Sequence, residues 1–343
     1  MNRLAADLDL IAATNETSWD ELRGQRLFLT GGTGFFGCWL VESFCHMNRL
    51  LGLDARVTIL TRNPEGFSQK CPHLVSDPAV NLLVGDVRSF EFPDGEYRFI
   101  IHAATEARAR QAENAPLEML STIIAGTERV LQFAVKHGTQ KFLLTSSGAV
   151  YGKQPPELTH VSESFAGAPN PLDPANVYAE GKRAAELLCA LYKKGSGLEC
   201  KIARCWAFCG PHLPLDEHFA IGNFIGDVLA GRPIQINGDG TPRRSYLYAA
   251  DLAVWLWTLL FRAPSLVPFN VGSAHDVSIL ELARTVVATL NPEAEIRVAR
   301  KPVPATSPAR YVPCVDSARE VLGLKETIGL EESIRRTAAW HRP

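Results

Sequence analysis

The feature that most constrains the fold of this chain is the glycine-dense stretch TGGTGFFG, residues 30–37, which follows the apolar run RLFL. Glycine at this density costs backbone entropy in any regular element, so the stretch favours a tight turn. Gly31, Gly34 and Gly37 have the spacing G-x-x-G-x-x-G, typical of a strand-to-helix turn whose backbone N–H groups approach a pyrophosphate. The sequence therefore predicts a dinucleotide-binding turn between a first strand and a first helix.

Short apolar runs that predict buried strands recur along the first two thirds of the chain. They are Leu27–Thr30, Val57–Leu60, Val80–Val84, Phe99–Ala103, Phe142–Thr145 and Cys200–Phe208. Longer segments with helical spacing lie between them, notably Pro116–His137 before Gly138 and Asn176–Lys194 before Gly195. This alternation predicts an α/β fold, a Rossmann-like doubly wound parallel sheet with helices on both faces. Beyond Gly210 proline and glycine are frequent, which indicates a smaller, irregular C-terminal lobe.

These patterns predict three parts of the chain. Residues 1–25 form a helical N-terminal extension outside the sheet. Residues 26–204 together with 243–272 form the dinucleotide-binding domain. Residues 205–242 together with 273–343 form the smaller lobe, which we expect to bind the substrate.

Composition and charge exclude several classes of protein. The chain of 343 residues is 46% hydrophobic and 21% charged, as in globular proteins, and its net charge of -2 gives no basis for binding nucleic acid or an anionic membrane. No apolar run approaches the roughly 20 residues of a membrane span, and Asp7 and Asp9 interrupt the N-terminus where a secretory signal is apolar. The eight cysteines contain no C-x-x-C pair. We therefore expect reduced thiols, no bound metal and a cytoplasmic location.

Four further motifs point to a known family. They are GDV (85–87), HAAT (102–105), TSSGAVYG (145–152) and YAEGK (178–182). Together with the glycine turn they resemble the extended short-chain dehydrogenase/reductases, and more narrowly the NAD-dependent epimerase/dehydratase branch that acts on nucleotide sugars. Residues 222–253 are similar to the segment that grips the sugar nucleotide in those enzymes. The resemblance runs from about Arg26 to near Gly323.

The resemblance implies a nicotinamide dinucleotide cofactor, either NAD or NADP. The residues that it assigns to the cofactor are Gly31, Thr33, Gly34, Phe35, Phe36, Gly37, Arg62, Asp86, Val87, Ala103, Ala104, Thr105, Tyr178 and Lys182. Asp86 matches the family's adenine contact. The second strand ends in Thr61 and Arg62 rather than in the acid that binds the 2′-hydroxyl of NAD. Because an arginine there accommodates a 2′-phosphate, Arg62 favours NADP, whereas the family favours NAD.

The implied catalytic residues are Ser147, Tyr178 and Lys182. Tyrosine and lysine four residues apart share one face of a helix, and an ammonium beside a phenol lowers the pKa of the phenol. Tyr178 is therefore the expected general base on a sugar hydroxyl, and Ser147 matches the residue that hydrogen-bonds the same hydroxyl. Non-catalytic relatives that act as sensors or scaffolds commonly lose the tyrosine or the lysine, and this chain keeps both.

Two positions depart from the family. Sugar 4,6-dehydratases carry an acidic pair where Gly148 and Ala149 stand, and UDP-glucuronate decarboxylases usually have a glutamate at the Ala149 position. What remains is the minimal set for oxidising and re-reducing a sugar carbon, most simply in a 4-epimerase. A 4-ketosugar reductase, or a decarboxylase or dehydratase with an atypical acid–base residue, stays open. The groups that could supply such a residue are Glu106, Glu180, Cys209, His212 and His218.

The resemblance also implies a substrate and a partner. Asn223 and Arg244 match positions that hold the phosphates of a nucleotide-diphosphate sugar, and a guanidinium suits a diphosphate because it binds two oxygens at once. Ile234 and Ile236 are expected to flank the base. Family members pair through the helices that match Pro116–His137 and Asn176–Lys194, so we expect a homodimer.

Overall fold

The structure is a computed structural model that describes residues 3–104, 114–217, 219–303 and 307–342. The chain divides into two compact units. The first comprises Met1–Val150, Pro169–Arg204 and Ala253–Phe269, and the second comprises Tyr151–Ala168, Cys205–Leu252 and Asn270–Pro343. None of the described helices is both long and apolar enough to cross a membrane.

The helices and strands are numbered here in chain order. The α-helices in the described residues are α1 (Ala5–Asn15), α2 (Phe35–Leu51), α3 (Pro64–Lys70), α4 (Pro72–Val75), α5 (Pro116–Lys136), α6 (Val177–Ser196), α7 (Ala220–Leu229), α8 (Ala249–Arg262), α9 (Ile279–Leu290), α10 (Asp316–Leu322) and α11 (Leu330–His341). The strands are β1 (Arg26–Thr30), β2 (Arg56–Thr61), β3 (Val80–Val84), β4 (Phe99–His102), β5 (Lys141–Ser147), β6 (Glu199–Cys205), β7 (Phe208–Cys209), β8 (Ile234–Ile236), β9 (Arg243–Ser245), β10 (Leu247–Tyr248), β11 (Pro268–Val271), β12 (Asp276–Ser278), β13 (Ile296–Val298) and β14 (Arg310–Tyr311).

The first unit is built on a sheet that has seven strands within the described residues, in the order β11-β6-β5-β4-β1-β2-β3. β1 pairs in parallel with β2 and β4, and the next pairs outward, β2–β3 and β4–β5, are parallel as well. The predicted α/β fold with a Rossmann-like, doubly wound sheet is confirmed. β1, β4 and β5 are buried along almost their whole length, as expected of strands covered on both faces. Because parallel strands share one direction, their carboxyl ends meet at one edge of the sheet.

Helices α5 and α6 pack against one face of this sheet. Their inward residues join a core in which Phe28, Phe133 and Phe142 are fully buried. α6 runs two residues further than predicted, through Gly195, because the residue with left-handed backbone (φ 79°) is Gly197. The predicted strand Cys200–Phe208 is divided into β6 and β7, with Trp206 and Ala207 between them, and the Trp206 N–H still donates to the Val271 carbonyl at the end of the neighbouring β11.

The N-terminal segment belongs to the first unit rather than standing apart from it. The side chains of Leu4, just before α1, and of Leu8 and Ile11 on α1 are buried. The short 3-10 helix that follows inserts the ring of Trp19 against that of Trp257 on α8, with 4.6 Å between the ring centroids. Burial of these apolar side chains stabilises the segment on the body of the unit.

The second unit consists of short strands and helices, as the proline- and glycine-rich sequence predicts. β9 lies between β12 and β14 in a three-stranded sheet, β7 pairs with β10, and β8 pairs with β13. These pairings assign residues 243–252 to the second unit, where the sequence analysis assigned them to the dinucleotide-binding domain, and residues 151–168 join them. The functional labels of the two units remain predictions.

Candidate active site

The glycine turn connects β1 to α2 at the carboxyl edge of the sheet. Gly31 has a left-handed backbone (φ 73°), and a Cβ there would lie 2.4 Å from the carbonyl oxygen of Ala103. A Cβ on Gly37 would lie 2.3 Å from the carbonyl oxygen of Gly31. Side chains at these two positions would displace backbone, so both glycines are required by the packing of the turn itself.

Gly34 differs from the other two glycines. It is the N-cap of α2 with extended backbone that any residue adopts, and a Cβ there would meet only the Gly31 carbonyl oxygen, at an ordinary 3.4 Å. The residue is exposed, and the first turn of α2 contains no acidic residue. A helix N-terminus that is open at Gly34 and carries no carboxylate fits the pyrophosphate of a dinucleotide.

The other predicted cofactor residues lie along the same edge of the sheet. Ala103 and Ala104 follow β4, and the Ala104 N–H donates to the Thr30 hydroxyl. Asp86 follows β3, where the Arg88 guanidinium binds it through two hydrogen bonds of 2.8 Å and holds the pKa of its carboxyl at about 2. The side chain of Val87 is buried. Thr105 lies outside the described residues.

Arg62 follows β2 directly and is exposed, and its positive charge also lowers the pKa of Asp86, after the larger effect of Arg88. Lys70 at the end of α3 donates to the carbonyl of Thr33 within the glycine turn. Lys70 therefore lies beside the glycine turn, and Arg62 lies at the end of β2, the strand next to β1. This arrangement is electrostatically suited to a phosphate-bearing ligand.

The predicted catalytic residues lie on β5 and α6. Lys182 is buried, and its ammonium donates to the carbonyl of Thr145 on β5 over 2.7 Å. The same ammonium lies 5.9 Å from the centroid of the Tyr178 ring, one helical turn earlier. The Ser147 hydroxyl, at the end of β5, accepts a hydrogen bond from the Ala149 N–H. That bond fixes the oxygen and leaves the hydroxyl proton of Ser147 to be donated.

His102, which precedes the predicted cofactor contacts, is held in the interior as a neutral ring. Its Nδ1 lies 2.7 Å from the Thr30 hydroxyl and its Nε2 lies 3.0 Å from the Thr127 hydroxyl. Burial, and then the charge of Lys182, lower its pKa to about 3. His102 therefore positions the ends of β1 and β4 and does not act as a proton carrier near neutral pH.

Five residues were named above as candidates to replace the missing acid–base residue. Those that the structure describes contact other side chains of the protein. Cys209 is fully buried, its thiol contacts the Thr337 hydroxyl, and burial raises its pKa to about 12. The His212 ring is buried against Trp340, 4.5 Å between centroids. Glu180 lies 3.6 Å from the Arg183 guanidinium on α6. Glu106 and His218 lie outside the described residues.

The predicted phosphate ligands belong to the second unit. Arg243 and Arg310, neighbours on β9 and β14, both bind the carboxylate of Asp276. Arg244 makes no ion pair with a carboxylate of the described residues, and its guanidinium lies 5.9 Å from the centroid of the Tyr311 ring. The two adjacent arginines of β9 thus differ: Arg243 is paired with an acid, whereas Arg244 donates to the Arg243 carbonyl and pairs with no carboxylate of the described residues.

The remaining substrate residues are placed in different surroundings. Asn223 lies half-buried on α7. Ile234 and Ile236 are buried on β8, whereas Gln235 between them is exposed. A base beside this strand would therefore meet its backbone or Gln235 rather than the isoleucine side chains.

Two features were missed by reasoning from the sequence. The first is a buried polar group on the catalytic elements: the Glu186 carboxylate of α6 accepts from the Ser146 hydroxyl of β5 and from Arg204 of β6. The second is an aromatic stack in the second unit, where the ring of Trp206 lies between those of Tyr151 and Tyr311. Helical spacing from Lys182 to Glu186 was the available signal for the first, and none existed for the second.

Comparison with known proteins places the chain in a family. Residues 27–272 match the family described as the NAD dependent epimerase/dehydratase family. This chain belongs to that family. It is therefore an NAD-dependent enzyme of the epimerase/dehydratase type, and the predicted resemblance is confirmed. Of the two cofactors predicted, NAD and NADP, the family supports NAD.

The chain is 33% identical to UDP-glucuronic acid decarboxylase 1 of Arabidopsis thaliana over 91% of this chain and 68% of that protein. Its fold resembles UDP-glucose 4-epimerase of Thermotoga maritima (TM-score 0.76, 19% identity, 92% and 98% of the two chains). It equally resembles the dTDP-glucose 4,6-dehydratase DesIV of Streptomyces venezuelae, solved with NAD bound (TM-score 0.76, 22% identity, 92% and 97% of the two chains). The two structural likenesses establish the fold.

Proposed function

We propose that this protein oxidises the C4 carbon of a UDP sugar transiently and that its leading reaction is the decarboxylation of a UDP-hexuronic acid. The observation that carries the proposal is the group formed by Ser147, Tyr178 and Lys182 at the end of β5 and on α6. The 33% identical relative, which is named for decarboxylation of UDP-glucuronic acid, supports the choice of substrate.

In the proposed mechanism, the residues of this chain handle the proton at the sugar 4-hydroxyl. Tyr178 removes that proton, with the Lys182 ammonium stabilising the phenolate, and Ser147 donates its hydroxyl proton to the same sugar oxygen. NAD, when bound, supplies the hydride acceptor for C4. Arg244 and Asn223 hold the diphosphate in this proposal, and the charge of Arg244 is suited to it.

The carbon–carbon bond cleavage of a decarboxylation does not itself need a carboxylate at Ala149, although UDP-glucuronate decarboxylases usually have a glutamate at that position. A C4 ketone lies β to the C6 carboxylate, so the C5–C6 bond can break with loss of CO2, its electrons passing to C5 and the C4 oxygen. This step requires stabilisation of negative charge on that oxygen, which Ser147 and the protonated Tyr178 can supply. Solvent water then supplies a proton to C5, and Tyr178 returns its proton to the C4 oxygen when C4 is reduced again, which gives a UDP-pentose.

Dehydration makes a different demand. It must remove the C5 proton and protonate the C6 hydroxyl, which requires a positioned acid and base. The backbone at Gly148 and Ala149 forms a short 3-10 turn that offers no carboxylate. We therefore expect no 4-keto-6-deoxy product from dTDP-, UDP-, CDP- or GDP-hexoses. Such a product would show that another acid, for example Glu180, has taken over.

The proposal is tested with UDP-glucuronic acid labelled with carbon-13 at C6. Release of labelled CO2 and formation of a UDP-pentose by NMR, without net consumption of NAD, is the expected result. Tyr178→Phe serves as the inactive control. If the protein binds UDP under the assay conditions and no labelled CO2 is released, decarboxylation is refuted.

A 4-epimerase is the second candidate, favoured by the absence of any carboxylate at Gly148 and Ala149. Anchoring by Arg244 would hold the nucleotide while the oxidised sugar turns over. Deuterium at C4 of a UDP-hexose should then return to the epimerised product. A 4-ketosugar reductase would instead consume added NADH or NADPH in stoichiometric amounts.

We further propose that the protein is a cytoplasmic homodimer. The eight cysteines are thiols, which supports a reducing compartment. On the outer face of α5 and α6, Leu117 is 81% exposed and Leu187 is 60% exposed, with Leu191 one turn further on. Exposed leucines on two adjacent helices are typical of an interface between subunits.

The dimer is tested by light scattering at micromolar concentration. Leu187→Glu combined with Leu191→Glu should give a monomer. Val321→Glu is the matched control, because Val321 is exposed on a different helix, α10. A monomeric wild-type protein would contradict the proposal.

A further inference from the structure

Helix α6 is attached to β5 at two consecutive residues of the strand. Lys182 donates to the carbonyl of Thr145, and Glu186, one helical turn later, accepts from the hydroxyl of Ser146 over 2.5 Å. Tyr178, Lys182 and Glu186 are spaced by four residues and therefore lie along one face of the helix. The two attachments fix the height of the helix on the strand.

The Glu186 carboxylate is held from a second side. Arg204 of β6 donates from Nε to Oε1 over 3.0 Å and from Nη2 to Oε2 over 2.7 Å. Both side chains are more than four-fifths buried. A bidentate pair of this kind fixes direction as well as distance. Glu186 therefore links α6 to two neighbouring strands of the sheet at the level of Ser146.

We infer that Glu186 is a positioning residue that fixes α6 on β5 and so places Tyr178 and Lys182 relative to Ser147. Ser147 follows Ser146 directly, so any shift at Ser146 moves the Ser147 hydroxyl. Tyr178 lies two turns before Glu186 on the same rigid helix. The inference rests on the proposed function for the roles of Tyr178 and Ser147, and on hydrogen bonds and burial for the role of Glu186.

Misplacing reacting groups by about 1 Å can cost on the order of 100-fold in rate. Glu186→Gln keeps the shape of the side chain and removes its charge, so kcat should fall about 10- to 100-fold with the KM for the UDP sugar unchanged. Ser146→Ala should give part of the same loss, and the double variant should be no worse than Glu186→Gln alone. Additive losses would show that the two residues act independently and would overturn the inference.

A second measurement does not depend on the substrate. The pKa of Tyr178 is followed by NMR of carbon-13-labelled tyrosine in the NAD-bound protein, with Tyr178→Phe assigning the signal. The charged groups around Tyr178 on its own helix are Lys182, Glu180 and Arg183. Loosening α6 admits water around Lys182 and weakens its effect, so in Glu186→Gln the pKa of Tyr178 should rise towards about 10.

Loss of the negative charge of Glu186 without movement of the helix would have the opposite sign and would lower the pKa of Tyr178. A fall or no change in a folded Glu186→Gln protein therefore overturns the inference. Glu128→Gln, on α5, is the control for removal of an acidic charge from the same unit and should leave the Tyr178 signal in place. If Glu186→Gln does not fold, Ser146→Ala tests the same attachment and leaves the Arg204 pair intact.

If no UDP sugar reacts with the wild-type protein, the proposed function fails and the titration still decides the inference. If the wild-type protein reacts and the titration shows no rise, the inference fails and the proposed function stands. The two outcomes are therefore separable.

Discussion

The two units of this protein place their candidate functional residues by different means. In the first unit these residues follow the ends of strands in one parallel sheet, so backbone pairing sets their positions: Gly31 after β1, Ala103 after β4 and Ser147 at the end of β5. In the second unit Arg244 lies on a strand of three residues. Its surroundings are set by distant parts of the chain: the Tyr311 ring lies beside its guanidinium, and Val277 pairs with it across the sheet.

The difference has a consequence for substitution. In the first unit, some changes leave the backbone in place: a Cβ added at Gly34 makes only an ordinary contact, and Tyr178→Phe removes a single hydroxyl. In the second unit, removing one member of the Arg243, Asp276 and Arg310 group leaves a partly buried charge without its partner. We therefore expect loss of function without loss of stability at Tyr178 and Gly34 in the first unit, and at Arg244 in the second.

The largest expected effect is at Tyr178. Tyr178→Phe should lose about 100- to 10,000-fold in kcat, the usual cost of losing general-base assistance, while NAD and UDP still bind. The measurement is turnover of UDP-glucuronic acid alongside calorimetric binding of both ligands. Near-normal turnover would remove Tyr178 from the mechanism, whichever reaction is found.

The next effect separates the glycines of the turn. Gly34→Val should abolish NAD binding at an unchanged melting temperature, because its side chain enters the open space before α2 and meets no other part of the protein closely. Gly37→Ala is the contrasting variant, since its Cβ would lie 2.3 Å from backbone and should lower the melting temperature. Binding of NAD by Gly34→Val at wild-type affinity would exclude this turn as the pyrophosphate site.

In the second unit the comparison is made between adjacent arginines. Arg244→Ala should weaken UDP binding about 10- to 100-fold, as expected for loss of hydrogen bonds to a charged group, with little change in stability. Arg243→Ala should instead lower the free energy of unfolding, because Asp276 loses a partner. Both are measured by calorimetry and by urea unfolding, and the reverse pattern would assign the phosphate contact to Arg243.

Sequence reasoning succeeded where the signal was local. The strand at Val80–Val84 and the start of the helix at Pro116 were predicted at the observed residues, because apolar runs and helical spacing are properties of neighbouring residues. The glycine turn was found for the same reason. These local patterns were sufficient for the fold and for the family.

Long-range contacts were beyond that reasoning. Trp19 meets Trp257, so a segment predicted to be an extension is packed into the first unit. Glu186 on α6 and Arg204 on β6 are 18 residues apart, and that spacing does not predict that they are in contact. Of the two adjacent arginines, Arg243 is the one that pairs with Asp276, and Asp276 lies on another strand.

The smallest expected effect is on the free energy of unfolding and its dependence on pH. It is measured for one ion pair in each unit. Asp86 and Arg88 are two residues apart, and the Arg88 hydrogen bonds hold the pKa of Asp86 at about 2, below its usual 3.8. The pair therefore stabilises the fold above about pH 4, and this contribution is lost as the pH falls towards 2. Both side chains are about a third exposed, so Arg88→Met should cost at most about 1 kcal/mol at pH 7.

Asp276 is the matching group in the second unit. Burial disfavours its charge, but Arg243 and Arg310 outweigh burial and lower its pKa. Because Arg310 is 34 residues away, the unfolded chain holds little of this contact, whereas Asp86 and Arg88 stay close even when the chain is unfolded. Arg310→Met should therefore cost more than Arg88→Met in urea unfolding at pH 7, and both differences from wild type should shrink as the pH is lowered through the pKa of each acid. Equal losses in the free energy of unfolding at pH 7 would show that the local and the long-range ion pair stabilise the protein to the same extent. The two units would then not differ in this respect.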